Sequence, residues 1–167
     1  GRGSRFTITI PRELTGIHPI VSPKTPAIAR EKVSNSTISG HILVIDDEDV
    51  MTSMLKKCLE FDNHTVEVAQ DGYRGIDIAK SKPIDLAVVD IAMPGLNGWQ
   101  TLTQLKQIKK NMSSIVITGN AAGSGPEDPL FSNFIQKIEE VGVDSYLLKP
   151  FDLKEIKRMV STLLAKK

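Results

Sequence analysis

From residue 41 onward, short apolar runs of strand type alternate with longer stretches whose apolar residues recur at helical spacing. His41-Ile-Leu-Val-Ile45 is a buried-type run closed by Asp46-Asp47-Glu48-Asp49, and Val50, Met51, Met54, Leu55, Cys58 and Leu59 then recur on one predicted helical face. Thr65–Ala69 predicts a second strand, followed by Asp71 as a helix cap and a helix through Ile76 and Ile78 to Lys80. Pro83 interrupts the chain before Leu86–Val89, an apolar run that delivers Asp90 to a turn marked by Met93-Pro94-Gly95 and Asn97-Gly98. Trp99, Leu102, Leu105 and Ile108 predict the next helix, with lysines near its end to suit the helix dipole. Ser114–Thr118 and Asp144–Leu148 complete a set of five strands. Phe131, Phe134, Ile135, Ile138 and Val141, ended by Gly142, form one more helix, and Leu153, Ile156, Val160, Leu163 and Leu164 form the last.

Strict alternation of strand and helix at this spacing predicts an α/β fold with a parallel sheet, right-handed crossovers and helices on both faces. Two segments stand outside the alternation. Between the fourth strand and its helix lies a long loop, Gly119–Pro129, with prolines and small residues. Upstream, Phe6, Ile8 and Ile10 alternate as a strand would and stop at Pro11, and residues 12–40 carry Pro19, Pro23, Pro26 and Ser34-Asn35-Ser36-Thr37, a linker composition. The expected organisation is thus a terminal strand at 1–11, a linker at 12–40 and one domain at 41–167.

Composition narrows the function classes. The 167 residues, 40% hydrophobic and 25% charged, suffice for one domain with a real core. No apolar run is long enough to span a membrane and no signal-peptide pattern opens the chain, so a soluble, cytoplasmic protein is expected. Cys58, the single cysteine, excludes an internal disulfide and reads as core. Residues 41–167 carry fifteen Lys/Arg against eighteen Asp/Glu, a balance of −3, which argues against nucleic acid as a direct partner.

In a parallel sheet the strand C-termini share one edge, so Asp46 and Asp47 from the first strand, Asp90 from the third, Thr118 from the fourth and Lys149 from the fifth converge. Taken singly, Asp90 and Asp46 could be turn or cap residues, Lys149 a surface residue and Tyr146 packing. Jointly they make a site of three carboxylates, a hydroxyl and an ammonium. Crowded carboxylates repel, and a hard cation such as Mg²⁺ relieves them while keeping waters to exchange for phosphate oxygens. Trp99, Met93 and His41 are assigned no chemistry.

Asp-Asp after the first strand, Asp-x-x-Met-Pro-Gly-x-x-Gly after the third, Thr after the fourth and Lys-Pro after the fifth resemble the receiver domain of two-component response regulators. The resemblance spans residues 41–167 and implies a flavodoxin-like doubly wound (βα)5 fold with strand order 2-1-3-4-5. It implies that Asp90 is the phosphoacceptor for a phosphohistidine, that Asp47 binds Mg²⁺ with help from Asp46, and that Asp90 and the backbone carbonyl of Ala92 complete the metal set. Lys149 would neutralise the phosphoryl group, Thr118 and Tyr146 would form the switch, and Lys149-Pro150 would be a cis peptide. Residues 1–11 resemble the last strand of the histidine-kinase ATPase domain, which implies a hybrid histidine kinase and partners that carry a phosphohistidine or a phosphotransfer histidine.

Two features depart from the family pattern: the excess length in Asn120–Pro129, beside the site, and the apolar Ala92. Other readings are a stand-alone regulator, a receiver that only binds a partner, and a haloacid-dehalogenase-like phosphohydrolase. The last expects Asp-x-Asp after the first strand; here Asp47-Glu48-Asp49 has that spacing one residue late, and no cap domain is present.

Overall fold

The structure, a computed structural model, describes residues 39–119 and 128–166. The expected strand at 1–11, the linker as far as residue 38, and residues 120–127 of the expected loop lie outside the described residues. Five strands, β1 (His41–Ile45), β2 (Thr65–Ala69), β3 (Leu86–Asp90), β4 (Ser113–Thr118) and β5 (Ser145–Leu148), alternate with α1 (Asp49–Glu60), α2 (Gly72–Ser81), α3 (Gly98–Ile108), α4 (Pro129–Val141) and α5 (Leu153–Leu164). All strand pairs are parallel and the order is β2-β1-β3-β4-β5. This is the flavodoxin-like doubly wound (βα)5 arrangement. The strand order reverses at β1 and β3, which places the ligand crevice of such sheets at their C-terminal ends.

Side chains alternate across each strand, and the two faces of the sheet collect different helices. On one face Leu43, Ile45, Ala87, Val89 and Val116 meet Ile76, Leu102, Leu105, Phe134 and Ile138 from α2, α3 and α4. On the other, Ile42, Val44, Leu86, Val88, Ile115 and Ile117 meet Leu55, Leu59, Ile156, Val160 and Leu163 from α1 and α5. Every residue of β3 is buried, as its unbroken apolar run requires of a strand covered on both sides.

Helix ends follow local chemistry. Asp71 caps α2 by accepting from the N–H of Arg74 at 2.8 Å. Asn97 and Gln100 form a capping box that starts α3 directly after the Asp90 turn. Asp128 caps α4 with Pro129 in its first turn, and α4 ends where Gly142 takes the left-handed conformation at φ 69°.

The predicted inward face of α1 is corrected. Val50 is 79% exposed and Met54 is also exposed, whereas Thr52, Leu55 and Leu59 are buried. At about 100° per residue, Thr52, Leu55 and Leu59 share one arc, Met51 and Cys58 flank it, and Val50 and Met54 fall beyond its edge. Thr52 is accommodated because its hydroxyl donates to the carbonyl of Asp49 at 3.1 Å. β5 begins at Ser145 because Asp144 turns aside to serve β4: its carboxylate accepts from the N–H and hydroxyl of Ser114 at 2.8 and 2.9 Å.

Candidate functional site

The parallel sheet brings the C-terminal ends of β1, β3, β4 and β5 to one edge, and three of the predicted side chains, Asp46, Asp90 and Lys149, meet there. Lys149, immediately after β5, places its ammonium 2.6 Å from Asp90 Oδ2 and 3.1 Å from Asp46 Oδ2. Glu48 Oε1 lies 3.5 Å from the same nitrogen. Each buried carboxylate is held at its other oxygen by backbone: the N–H of Glu48 donates to Asp46 Oδ1, and that of Ala92 to Asp90 Oδ1, each at 2.9 Å. Both acids are therefore fixed in orientation by one backbone donor and one shared cation.

The turn that carries Asp90 is itself constrained. Gly98, at the start of α3, packs against the backbone of Asp90 and Ile91, and its N–H donates to the carbonyl of Ile91 at 3.3 Å. On the far side, the N–H of Lys149 donates to the carbonyl of Thr118 at 2.7 Å, tying the end of β5 to the end of β4. The Lys149–Pro150 peptide is cis. Thr118 is fully buried, and its hydroxyl has no hydrogen-bond partner among the described residues. A buried hydroxyl without a partner is costly, and none of the described residues supplies an acceptor for this one.

Charge at the site is unbalanced. Asp46, Glu48 and Asp90 present oxygens that all lie within 4.8 Å of one another, against the single ammonium of Lys149. Burial pushes the Asp46 carboxyl above its ordinary pKa, against the Glu48 N–H and Lys149, which favour its charge. Burial opposes the charge of Lys149 as well, but the hydrogen bonds and charges of Asp90 and Asp46 outweigh it and hold the ammonium well above its usual range. The excess of carboxylates over ammonium is a donor set suited to a hard divalent cation.

Asp47 is exposed and lies outside this group of three, whereas Glu48, which sequence reasoning did not single out, lies within it. The only signal for Glu48 was its place two residues beyond Asp46, in the same acidic turn. Ala92 has an exposed side chain, and Tyr146 is half-buried on the α4 side of the sheet, where burial raises its phenol pKa.

The response regulator receiver domain family matches residues 42–161. The chain belongs to this family. Over 126 residues the receiver is 31% identical to Response regulator ArlR of Staphylococcus epidermidis, which covers 74% of this chain and 52% of that one. Response regulator MprA of Mycolicibacterium vanbaalenii is 32% identical over 123 residues, covering 74% of this chain and 49% of that one. The chain thus spans about half the length of the curated relatives it matches. Among solved structures, a response regulator receiver domain protein from Clostridium thermocellum matches with a TM-score of 0.66 at 29% identity, over 76% of this chain and 95% of that one. Membership favours the receiver reading over the phosphohydrolase one. No helix among the described residues is long and apolar enough to cross a membrane.

Proposed function

We propose that the receiver accepts a phosphoryl group from a phosphohistidine onto Asp90. The observation that carries this reading is the lysine bridge: one ammonium within hydrogen-bond reach of both Asp90 and Asp46, at the edge where parallel sheets bind ligands. Asp90 is the nucleophile. A carboxylate oxygen forms the new P–O bond as the P–N bond breaks, and the electron pair of that bond returns to the histidine nitrogen. Such transfers depend on alignment and neutralisation more than on covalent machinery. Ala92 N–H fixes the attacking carboxylate, Lys149 balances charge on the transferred oxygens, and the Thr118 hydroxyl turns to one of them.

Asp46 and Asp90 would hold Mg²⁺, with Asp47, Glu48 and the Ala92 carbonyl as the remaining donors nearby. When bound, the cation supplies charge neutralisation for the carboxylates and the phosphoryl oxygens. The fit rests on the surplus of closely spaced carboxylate oxygens.

The phosphohistidine belongs to a histidine kinase, either in the same chain or separate. The alternating strand pattern at Phe6, Ile8 and Ile10, which resembles a kinase ATPase tail, supports a hybrid kinase that relays onward to a phosphotransfer histidine. A second reading, a regulator separate from its kinase, is favoured by the relatives, which are response regulators about twice the length of the matched segment.

Incubation with acetyl phosphate and Mg²⁺ should add the mass of one phosphoryl group to the intact chain, and Asp90→Asn should abolish the addition. Failure of the wild type to gain mass, or equal gain in the variant, refutes the assignment.

A further inference from the structure

Beside the phosphoryl site, on the α3–α4 face of the sheet, Phe134 joins Tyr146 and Trp99 in a chain of three aromatic rings, with Phe131 as a branch. Tyr146 of β5 meets Phe134 of α4 edge-on, with ring centroids 5.1 Å apart and planes at 87°. Phe134 in turn contacts Trp99 of α3 at 5.8 Å and Phe131 of its own helix at 6.4 Å. Phe134 is 3% exposed, so its ring cannot leave Tyr146 without repacking a filled interior. The two ends of the chain both return to the site. Trp99 follows Gly98, which abuts the backbone of Asp90 and Ile91, and Tyr146 lies on the strand that Lys149 directly follows. Tyr146 also pairs with Val116 in the sheet register, two residues before Thr118 and on the same face, and the Thr118 hydroxyl has no partner among the described residues.

We propose that Phe134 is a positioning residue for the switch: its ring latches Tyr146 against α4 and conveys any displacement of Tyr146 to Trp99 and α3. The inference rests on the phosphoacceptor reading above and adds to it a specific pathway through this chain's own side chains. Edge-to-face pairs are directional, so a rotation of the Tyr146 ring breaks a contact that an aliphatic neighbour would not register. The element that both ends bias is the α4–β5 packing, and a two-state packing of this kind is what a phosphoryl group can shift.

The chain contains one tryptophan, so its emission reports the far end of the latch without added probes. The 167-residue chain is treated with acetyl phosphate and Mg²⁺. The phosphorylated fraction is read by intact mass and Trp99 emission is recorded on the same samples. The wild type should change emission in proportion to the phosphorylated fraction. In Phe134→Leu and Phe134→Met, checked for native circular dichroism, the change per phosphorylated molecule should fall at least about twofold. Tyr146→Phe, which keeps the ring, should retain the response, and Tyr146→Leu should lose it. A merely structural role for Phe134 would lower stability without uncoupling emission from phosphorylation. Phosphorylation without any change at Trp99 in the wild type, or an undiminished response in a folded Phe134 variant, overturns the latch. Absence of the mass gain overturns the phosphoacceptor reading and the latch with it.

Discussion

A Cβ added at Gly98 would stand 2.6 Å from Ile91 Cα, with the Asp90 carbonyl closer still. Those neighbours are backbone and cannot swing aside as a side-chain tip would, so the strand end that carries Asp90 must shift to make room. Overpacking of this kind costs about 1–3 kcal/mol. Gly98→Ala should therefore lower stability by that amount in urea unfolding and slow phosphorylation of Asp90 by acetyl phosphate. Gly119→Ala, where a Cβ meets none of the described residues within 4 Å, should stay within about 0.5 kcal/mol of wild type. Equal effects at the two glycines would show that contact with the Asp90 turn is not the cause. At this scale the sequence was informative wherever topology alone determines position. Asp46, Asp90, Thr118 and Lys149 were legible because each ends or follows a strand, and parallel strands end together. Glu48 was not, because whether a turn residue faces the site depends on loop backbone that no periodicity encodes. Thr52, Thr101 and Ser114 were missed as buried residues for a related reason: each hides its hydroxyl by bonding it to backbone or to Asp144, a pairing visible only once the chain is folded.

Among the elements, the strands and most helix boundaries followed from pattern, while the inward face of α1 did not. Its apolar stripe is wider than the surface it covers, so pattern located the helix but not which edge of the stripe is wet. The entry to the sheet shows how an element can be tied by a titratable group. Ser39 Oγ donates to the carbonyl of Asn63 at 2.7 Å, the N–H of Gly40 donates to His64 Nδ1 at 3.2 Å, and the N–H of Thr65 donates to the carbonyl of Gly40 at 3.0 Å. His64 is buried and must be neutral at Nδ1 to accept. Burial lowers its pKa, with Asp62 of the α1–β2 turn acting against that and Lys157 of α5 reinforcing it. The unfolded chain, with an ordinary histidine pKa near 6.5, then binds the proton before the folded one does. Stability linked to His64 is thus fully present above about pH 6.5 and declines as pH falls through the lower folded value. Urea midpoints measured from pH 7.5 to 5 should drop for the wild type, and the drop should be smaller in His64→Gln. Identical pH profiles for the two proteins would remove His64 as the cause.

For the molecule as a whole, the same topology that gathers the site also concentrates its charge. Right-handed crossovers send every strand the same way, so acids that would be harmless on separate surfaces are brought within 4.8 Å of one another with a single lysine to offset them. Their repulsion opposes the compact state, and a cation that binds only that state must stabilise it by mass action. At ten times its dissociation constant, bound Mg²⁺ would contribute about 1.4 kcal/mol. For a domain of this size, that corresponds to a rise of about 3–8 °C in Tm. Thermal unfolding followed by circular dichroism in Mg²⁺ and in EDTA should show this difference, and K⁺ at matched ionic strength should not reproduce it, since screening is not coordination. Asp46→Asn removes one of the two buried donors, and the Mg²⁺ increment should shrink by more than half relative to wild type. The comparison is informative even if the substitution changes the metal-free Tm, because the quantity tested is the difference that the cation makes within each protein. An unchanged increment in Asp46→Asn would place the cation elsewhere on the surface, and no increment in the wild type would mean that Lys149 alone is counterion enough for the resting site.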